Sequence, residues 1–348
     1  MKPYKVLLIC LSIILLLSFF PVQSSSANSV PTIVFEVNST EDLPDALPNG
    51  ICSANSNTNG PCTLRAAVNE ASDAIAAGRG NVHIKIPAGH YILTRTSDIS
   101  GLDERFGDLD FLSLDEPTEL EVLIEGIGNE PSIIDANGID RVFEIQAYHN
   151  ITITNLIIQN GEILDKSTEP GGAGLLVNSS TLTLKHSRVL NNKIVYPTSW
   201  RFMNGGGILS NNSTLYLLNT EFAHNHATNG AAIQFDVYHP NVHSLIIDQS
   251  SFHHNSGDEK LIEVDSRAKG FFILNSTFSD NSNYLLTLLI RSETWIQNTT
   301  IISPGLTTMF IDAPVHIRNS IIINLPRNAN GLTNNCHHTK PEYVISEG

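Results

Sequence analysis

Along the second half of the chain one short pattern keeps returning, apolar-x-apolar-x-Asn-x-x-apolar, and few folds accommodate it. Its copies reach their anchor residue at Asn155, His186, Asn219, Gln249, Asn275, Asn298 and Asn319, after pairs such as Ile151 and Ile153 or Leu215 and Leu217. Three residues past each anchor lies another apolar side chain: Ile158, Val189, Phe222, Phe252, Phe278, Ile301 or Ile322. The separation between anchors falls from 33 residues (186 to 219) to 21 (298 to 319), while the pattern itself is kept. Period-two alternation describes a strand with one face buried. A strand that recurs every roughly twenty to thirty residues, with no helical pattern between copies, stacks on itself coil on coil. The sequence therefore describes a solenoid of parallel strands.

An amide at the same inward position of successive coils, roughly 4.8 Å apart, can hydrogen-bond to the next. The seven anchors are read as such an internal ladder, with His186 and Gln249 also able to donate and accept. A second column lies six residues on, at Asn192, Asn225, Asn255 and Asn281, where asparagine suits a tight left-handed turn. Seven Asn-x-Ser/Thr sequons begin at Asn38, Asn150, Asn178, Asn211, Asn212, Asn275 and Asn298. Two of them fall on ladder positions that should be buried, which makes the set a by-product of repeat composition.

One solenoid can absorb all 348 residues, because each coil touches only its neighbours. The net charge of −15 argues against a nucleic-acid partner. Lys2 and Lys5 precede the apolar run Val6 to Phe20, which is followed by Pro21 and Ser25-Ser26-Ala27. Residues 1–27 thus read as a secretory signal, whose apolar run is shorter than the ~20 residues a membrane span needs. An exported chain without a membrane span is expected, and in it Cys52 and Cys62 close a short loop as a disulfide worth roughly 2–3 kcal/mol. Cys336 is left over. Residues 28–95 are read as an N-terminal cap region. It holds a strand at 33–37, the disulfide loop, and a helix capped by Thr63 that runs to about Ala77 and stops at Gly78. Leu64, Val68, Ala71 and Ile75 give that helix an apolar face for the open end of the solenoid. Residues 96–336 form the solenoid and 337–348 a tail.

The segment Cys62-Thr63-Leu64-Arg65-Ala66-Ala67, preceded by Val37-Asn38-Ser39-Thr40 and the loop ending in Cys52, resembles the N-terminal CSLREA-type region of secreted bacterial proteins. The resemblance continues through Pro87-Ala88-Gly89-His90-Tyr91, Gly107-Asp108-Leu109-Asp110 and Gly138 to Phe143. The pairs Phe222 with Asn225, Phe252 with Asn255 and Phe278 with Asn281 resemble repeats of polymorphic outer membrane proteins, without the barrel that ends such chains. CSLREA-type proteins are similar to pectate-lyase-like folds. The resemblance implies an all-β fold, a right-handed single-stranded parallel β-helix with an N-terminal capping helix. In those proteins more chain, including another cysteine, follows the region resembling Asn319 to Cys336, so a truncated C-terminus is expected.

Members of that class bind or cleave acidic polysaccharides along one face. A lyase of this type needs carboxylates that hold calcium and a basic residue. A hydrolase needs paired aspartates with Gly-His-Gly and Arg-x-Lys. None of these motifs is intact here. Asp135, Asp140 and Arg141 lie close in sequence but fit a turn as well as a site. The stretch with Asp98, Asp103, Asp108, Asp110 and Asp115 matches no calcium loop and reads as a solvated acidic turn; calcium is the one cofactor it raises. Five residues past the anchors, His224, His254 and Asp280 fall on consecutive coils, with His226 and His253 beside them. Their tips can converge on a metal or a proton, although a solvent-facing corner carries the same residue types. Trp200 and Trp295 are the candidate sugar platforms, Trp200 lying in the long insertion Ile194 to Asn204. The reading is a secreted or cell-surface β-helix scaffold, adhesin-like and non-catalytic, that binds a glycan or a surface protein. The alternative is a polysaccharide lyase or glycoside hydrolase of the same fold.

Overall fold

The computed structural model describes residues 30–348 apart from 57, 97–104, 113, 165–170, 196–203, 241, 266, 282–285, 291, 304–306, 312, 325–335, 339–343 and 348. The signal segment at 1–27 and the candidate platform Trp200 lie outside the described residues.

Each turn of the chain lays down three short strands, and each strand pairs in parallel with its copy one turn later. In one such turn Asn150–Thr154 lies in a first sheet, Leu156–Gln159 in a second and Leu175–Asn178 in a third, before Thr181–Lys185 re-enters the first. Ile151 stands against Leu182, Leu182 against Leu215, Leu215 against Leu245 and Leu245 against Phe271. All five are fully buried, so the inward alternates form a continuous column. In the second sheet the inward rings of Phe222, Phe252 and Phe278 stack at 4.8 and 4.6 Å, almost parallel. The fold is an all-β, right-handed parallel β-helix.

The coils begin earlier and extend later than the residue patterns indicate. Thr32–Glu36 pairs with the strand Asn81–Ile92, which pairs in turn with Val122–Asp135, so the strand expected at 33–37 belongs to the first coil of the solenoid. At the other end, Val344–Glu347, expected as tail, pairs with Val315–Arg318.

The helix Leu64–Ala76 starts at Thr63, whose side chain accepts the Ala66 N–H, and Gly78 follows its end with φ +64°. Its apolar side, including Leu64, Val68, Ala71 and Ile75, joins the core of the first coils. Its polar side is covered too. Glu70 is fully buried and accepts the N–H groups of Asn49 and Gly50 at 2.9 and 2.7 Å, from the segment just before the Cys52–Cys62 disulfide. Arg65 is 1% exposed and pairs with Asp42 at 2.6 Å. Among the described residues no helix is long and apolar enough to cross a membrane.

The two asparagine columns exchange the roles expected of them. Asn155, His186, Asn219, Gln249, Asn275, Asn298 and Asn319 all have φ between +48° and +58° and all are exposed. They form the corner between the first and second sheets, where a left-handed residue lets the chain change direction and asparagine adopts that conformation at low cost. Some still touch along the outside, as Asn298 Nδ2 donates to Asn275 Oδ1 at 3.0 Å. The sequons at Asn275 and Asn298 are therefore exposed, contrary to expectation.

The internal ladder is the second column. Asn192, Asn225, Asn255 and Asn281 are at most 2% exposed. Each Nδ2 donates to the Oδ1 of the next, at 3.0, 3.0 and 2.9 Å. Each of those oxygens also accepts the backbone N–H of the preceding member at 3.1 Å. Beside it runs a hydroxyl ladder that the sequence reading missed. Ser187, Thr220, Ser250, Ser276, Thr299 and Ser320 directly follow the anchors, and the hydroxyls of Ser250, Ser276, Thr299 and Ser320 each accept the N–H of the column member one coil earlier. A Ser or Thr after six of the seven anchors was the available signal.

Candidate functional site

The outward positions of the first sheet carry an unbroken column of side chains, one per coil. Thr183 stands beside Tyr216, Tyr216 beside Ile246, Ile246 beside Phe272, Phe272 beside Trp295 and Trp295 beside His316. Period-two alternation puts them there, since their neighbours Leu215, Leu217, Phe271, Ile273 and Ile296 fill the core. Tyr216 is 38% exposed. The Phe272 and Trp295 rings are tilted with centroids 5.8 Å apart, and Trp295 and His316 come within 4.2 Å. Trp295, one of the two platforms named from the sequence, thus sits in the middle of an aromatic stripe along the helix axis.

At the far corner of the second sheet a cleft of about 510 Å³ opens, lined by Asn137, Gly138, Asn160, Glu162, Asn191, Lys193, His224 and His226. Asn160, Asn191, His224, His254 and Asp280 recur there on successive coils with φ from +52° to +58°. The corner that explains the anchor column thus repeats on this side, and each of these side chains leaves the coil in a similar direction. Glu162 and Lys193 form an ion pair at 3.0 Å across two coils.

The histidines meet at the end of this cleft. The His224 and His254 rings stack with centroids 5.1 Å apart. His253 and His254 bring their Nδ1 atoms to 2.9 Å, and the Nε2 of His253 lies 3.0 Å from Glu221 Oε1. Glu221 also receives Arg188 Nε at 2.5 Å. Burial works to raise the Glu221 carboxyl, but hydrogen bonding and charge from Arg188, with His253, outweigh it and hold the group below its ordinary range. His226 turns instead to Ser256, at 3.1 Å. Asp280 occupies the same corner one coil on, with its carbonyl accepting the His254 N–H at 3.2 Å. The sequence named His224, His254 and Asp280; the partner it undervalued is His253, on the strand just before the corner.

Asp135, Asp140 and Arg141 do not form one site. Asp135 is saturated by donors from His90, Gln159, Asn160 and the Asn137 N–H, at 2.8 to 2.9 Å, which keep its carboxyl below the ordinary range although burial alone would raise it. Arg141, 3% exposed, reaches Asp108 at 3.2 Å and Glu144 at 2.5 Å. Asp108, Asp110 and Glu144 have oxygens within 4.8 Å of one another. Asp108 is buried, so this part of the acidic stretch is not the solvated turn expected. Carboxyl groups so close cannot all ionise readily. Burial first, then the charges of Asp108 and Glu144, push the Asp110 carboxyl up to about 10. Arg141, paired with Asp108 and Glu144, works against that rise.

The sign of the resulting pH dependence follows from linkage. Asp110 keeps its proton in the folded chain up to about 10 but titrates near 3.8 when unfolded, so its contribution is full below 3.8 and is lost progressively as the pH rises towards 10. Asp110→Asn removes this dependence while keeping a donor at the site. Its denaturant midpoint is expected to gain on that of the parent chain between about pH 5 and about pH 9. A gap that stays constant over that range would show that Asp110 is ionised in the folded protein.

Comparison with known proteins adds one match: residues 133–301 fit the family described as right handed beta helix region. That stretch runs from the second long strand through Ile301 and contains the histidine cluster, the cleft and most of the aromatic stripe. No curated protein and no solved structure matches the chain.

Proposed function

We propose that this right-handed parallel β-helix is a secreted or cell-surface scaffold that binds a neutral glycan lengthwise along its first sheet. The observation that carries the reading is the outward stripe of Phe272, Trp295 and His316, set one coil apart on a stiff lattice, with Tyr216 two coils before Phe272 and Ile246 between them. Aromatic faces and edges spaced roughly 4.8 Å apart suit the successive rings of an extended sugar chain, which offers C–H surface to stack and hydroxyls to bond. A net charge of −15 disfavours polyanions. The Cys52–Cys62 disulfide fits an oxidising compartment, as do the signal-like residues 1–27 and the resemblance of the N-terminal segment to CSLREA-type secreted proteins. The resemblance of the repeats to polymorphic outer membrane proteins agrees with an adhesin-like role.

The test is a binding screen of the purified chain against neutral and acidic polysaccharides, with and without calcium, that also scores release of reducing or unsaturated ends. Saturable binding to a neutral glycan is expected, with Trp295→Ala weakening it about tenfold to a hundredfold. Release of products abolished by His254→Ala or Asp280→Ala would replace the scaffold reading with a lyase or hydrolase. Binding that Trp295→Ala leaves unchanged would move the site off the stripe.

A further inference from the structure

We propose that His253 and His254, completed by His224 from the adjoining coil, form a binding site for a borderline transition-metal ion of the Zn²⁺, Ni²⁺ or Cu²⁺ class. Two ligand nitrogens about 2.0–2.1 Å from one ion, at a right angle to each other, lie roughly 2.9 Å apart. The two Nδ1 atoms of His253 and His254 stand at 2.9 Å. That distance suits a shared proton as well as a shared ion, and both need the two nitrogens aimed at one point. Here it follows from the fold: His253 ends a strand of the second sheet and His254 takes the left-handed corner at φ +54°, which swings its ring back across its neighbour.

The protonation pattern is already set for one of the two. A carboxylate can only accept, so the His253 Nε2, 3.0 Å from Glu221 Oε1, carries the ring proton and Nδ1 keeps its lone pair. Metal-bound histidines commonly donate their second ring N–H to a carboxylate, which fixes the ring and makes the ligating nitrogen more basic. Glu221 is itself fixed by Arg188, at 2.5 Å. His254 Nδ1 then either donates its proton to His253 or, with an ion between the rings, carries that proton on Nε2 and offers a second lone pair. His224 occupies the equivalent corner one coil earlier, stacked on His254 at 5.1 Å and exposed, and serves as the third ligand once its ring turns from that stack towards the pair. An all-imidazole set selects zinc, nickel or copper and leaves calcium and magnesium, which prefer oxygen. The site opens to solvent, so water fills the remaining positions.

The test uses the full chain without a histidine tag, titrated with zinc and then nickel by calorimetry, with histidine ring signals followed by NMR. One ion per chain is expected, with the His253 and His254 ring signals moving first. His253→Ala and His254→Ala should each weaken binding at least about tenfold, and Glu221→Gln, which leaves both ligands in place, should weaken it about tenfold through the ring it orients. His239→Ala, at an exposed histidine just after the strand Ile233–Asp236 and outside both the stripe and the cluster, should bind as the parent chain does. These side chains lie at the surface, so matched melting curves will show that the variants are folded. No saturable uptake by the parent chain would overturn the proposal, as would uptake that survives His253→Ala undiminished or falls equally with His239→Ala.

Discussion

Asn225→Asp should destabilise the helix by about 3–5 kcal/mol at neutral pH, whereas Asn219→Asp, six residues earlier in the same coil, should change stability little. The Asn225 Nδ2 donates to the Val189 carbonyl at 2.9 Å and to Asn255 Oδ1 at 3.0 Å. A carboxylate reverses both contacts into repulsions in a site with no exposure to water. At Asn219 the same change falls on an exposed left-handed corner, where aspartate is also tolerated. Because burial raises the pKa of the new carboxyl, the Asn225→Asp deficit should shrink as the pH falls and the group regains a proton. Each coil rests only on its neighbours, so the loss should be concentrated around that coil. Amide hydrogen exchange should show it as faster opening at Asn192, Asn225 and Asn255. A uniform loss of protection along the chain, or an equal effect from Asn219→Asp, would contradict the assignment of the inner column.

The second large effect is expected at the capped end. Asp42→Ala should destabilise the N-terminal region by about 3–5 kcal/mol, because it leaves the Arg65 guanidinium buried without its anion. Arg65 also donates to the carbonyls of Gly107 and Asp108 at 2.7 and 2.6 Å, so it remains held in place when its counter-charge is gone. Asp42 in turn accepts the backbone N–H groups of Thr94 and Arg95 at 2.7 and 3.1 Å, joining the cap loop to the end of the strand Asn81–Ile92. The double change Asp42→Leu with Arg65→Met should be milder than Asp42→Ala alone, since it removes both charges together. Limited proteolysis is the measurement: Asp42→Ala should expose cleavage within the disulfide loop while the later coils stay intact. Additive losses in the double change would show that the two side chains do not act as a pair.

Period two located the coils well, because every inward residue at Leu182, Leu215 or Leu245 must be apolar for its neighbours to pack. It misplaced the asparagines for an equally physical reason. Counting by twos from Ile151 and Ile153 puts Asn155 inside, yet a left-handed residue at that point shifts the phase by one, and the next inward position becomes Ser187, Thr220 or Ser250 rather than the anchor. Residue type does not separate the two columns, since asparagine serves both a buried amide ladder and a left-handed corner. The carboxylates Asp108, Asp110 and Glu144 meet only because consecutive coils place Leu109–Phe111 beside Phe143–Ile145, a pairing 34 residues apart in sequence that no local pattern announces. His253 was undervalued because its neighbour His254 occupied the column position, and it took the corner geometry to turn the two rings towards each other.

Alternation along the first sheet also separates what must be inherited from what is free to drift. Leu215 and Leu217 fix the height and direction of Tyr216, yet nothing in the core depends on which side chain stands there. At that one lattice point successive coils carry Thr183, Tyr216, Ile246, Phe272, Trp295 and His316, six different chemistries in one register. A lineage built on such coils can retune its recognition surface by single substitutions, and lengthen it by duplicating a coil, without solving the folding problem again.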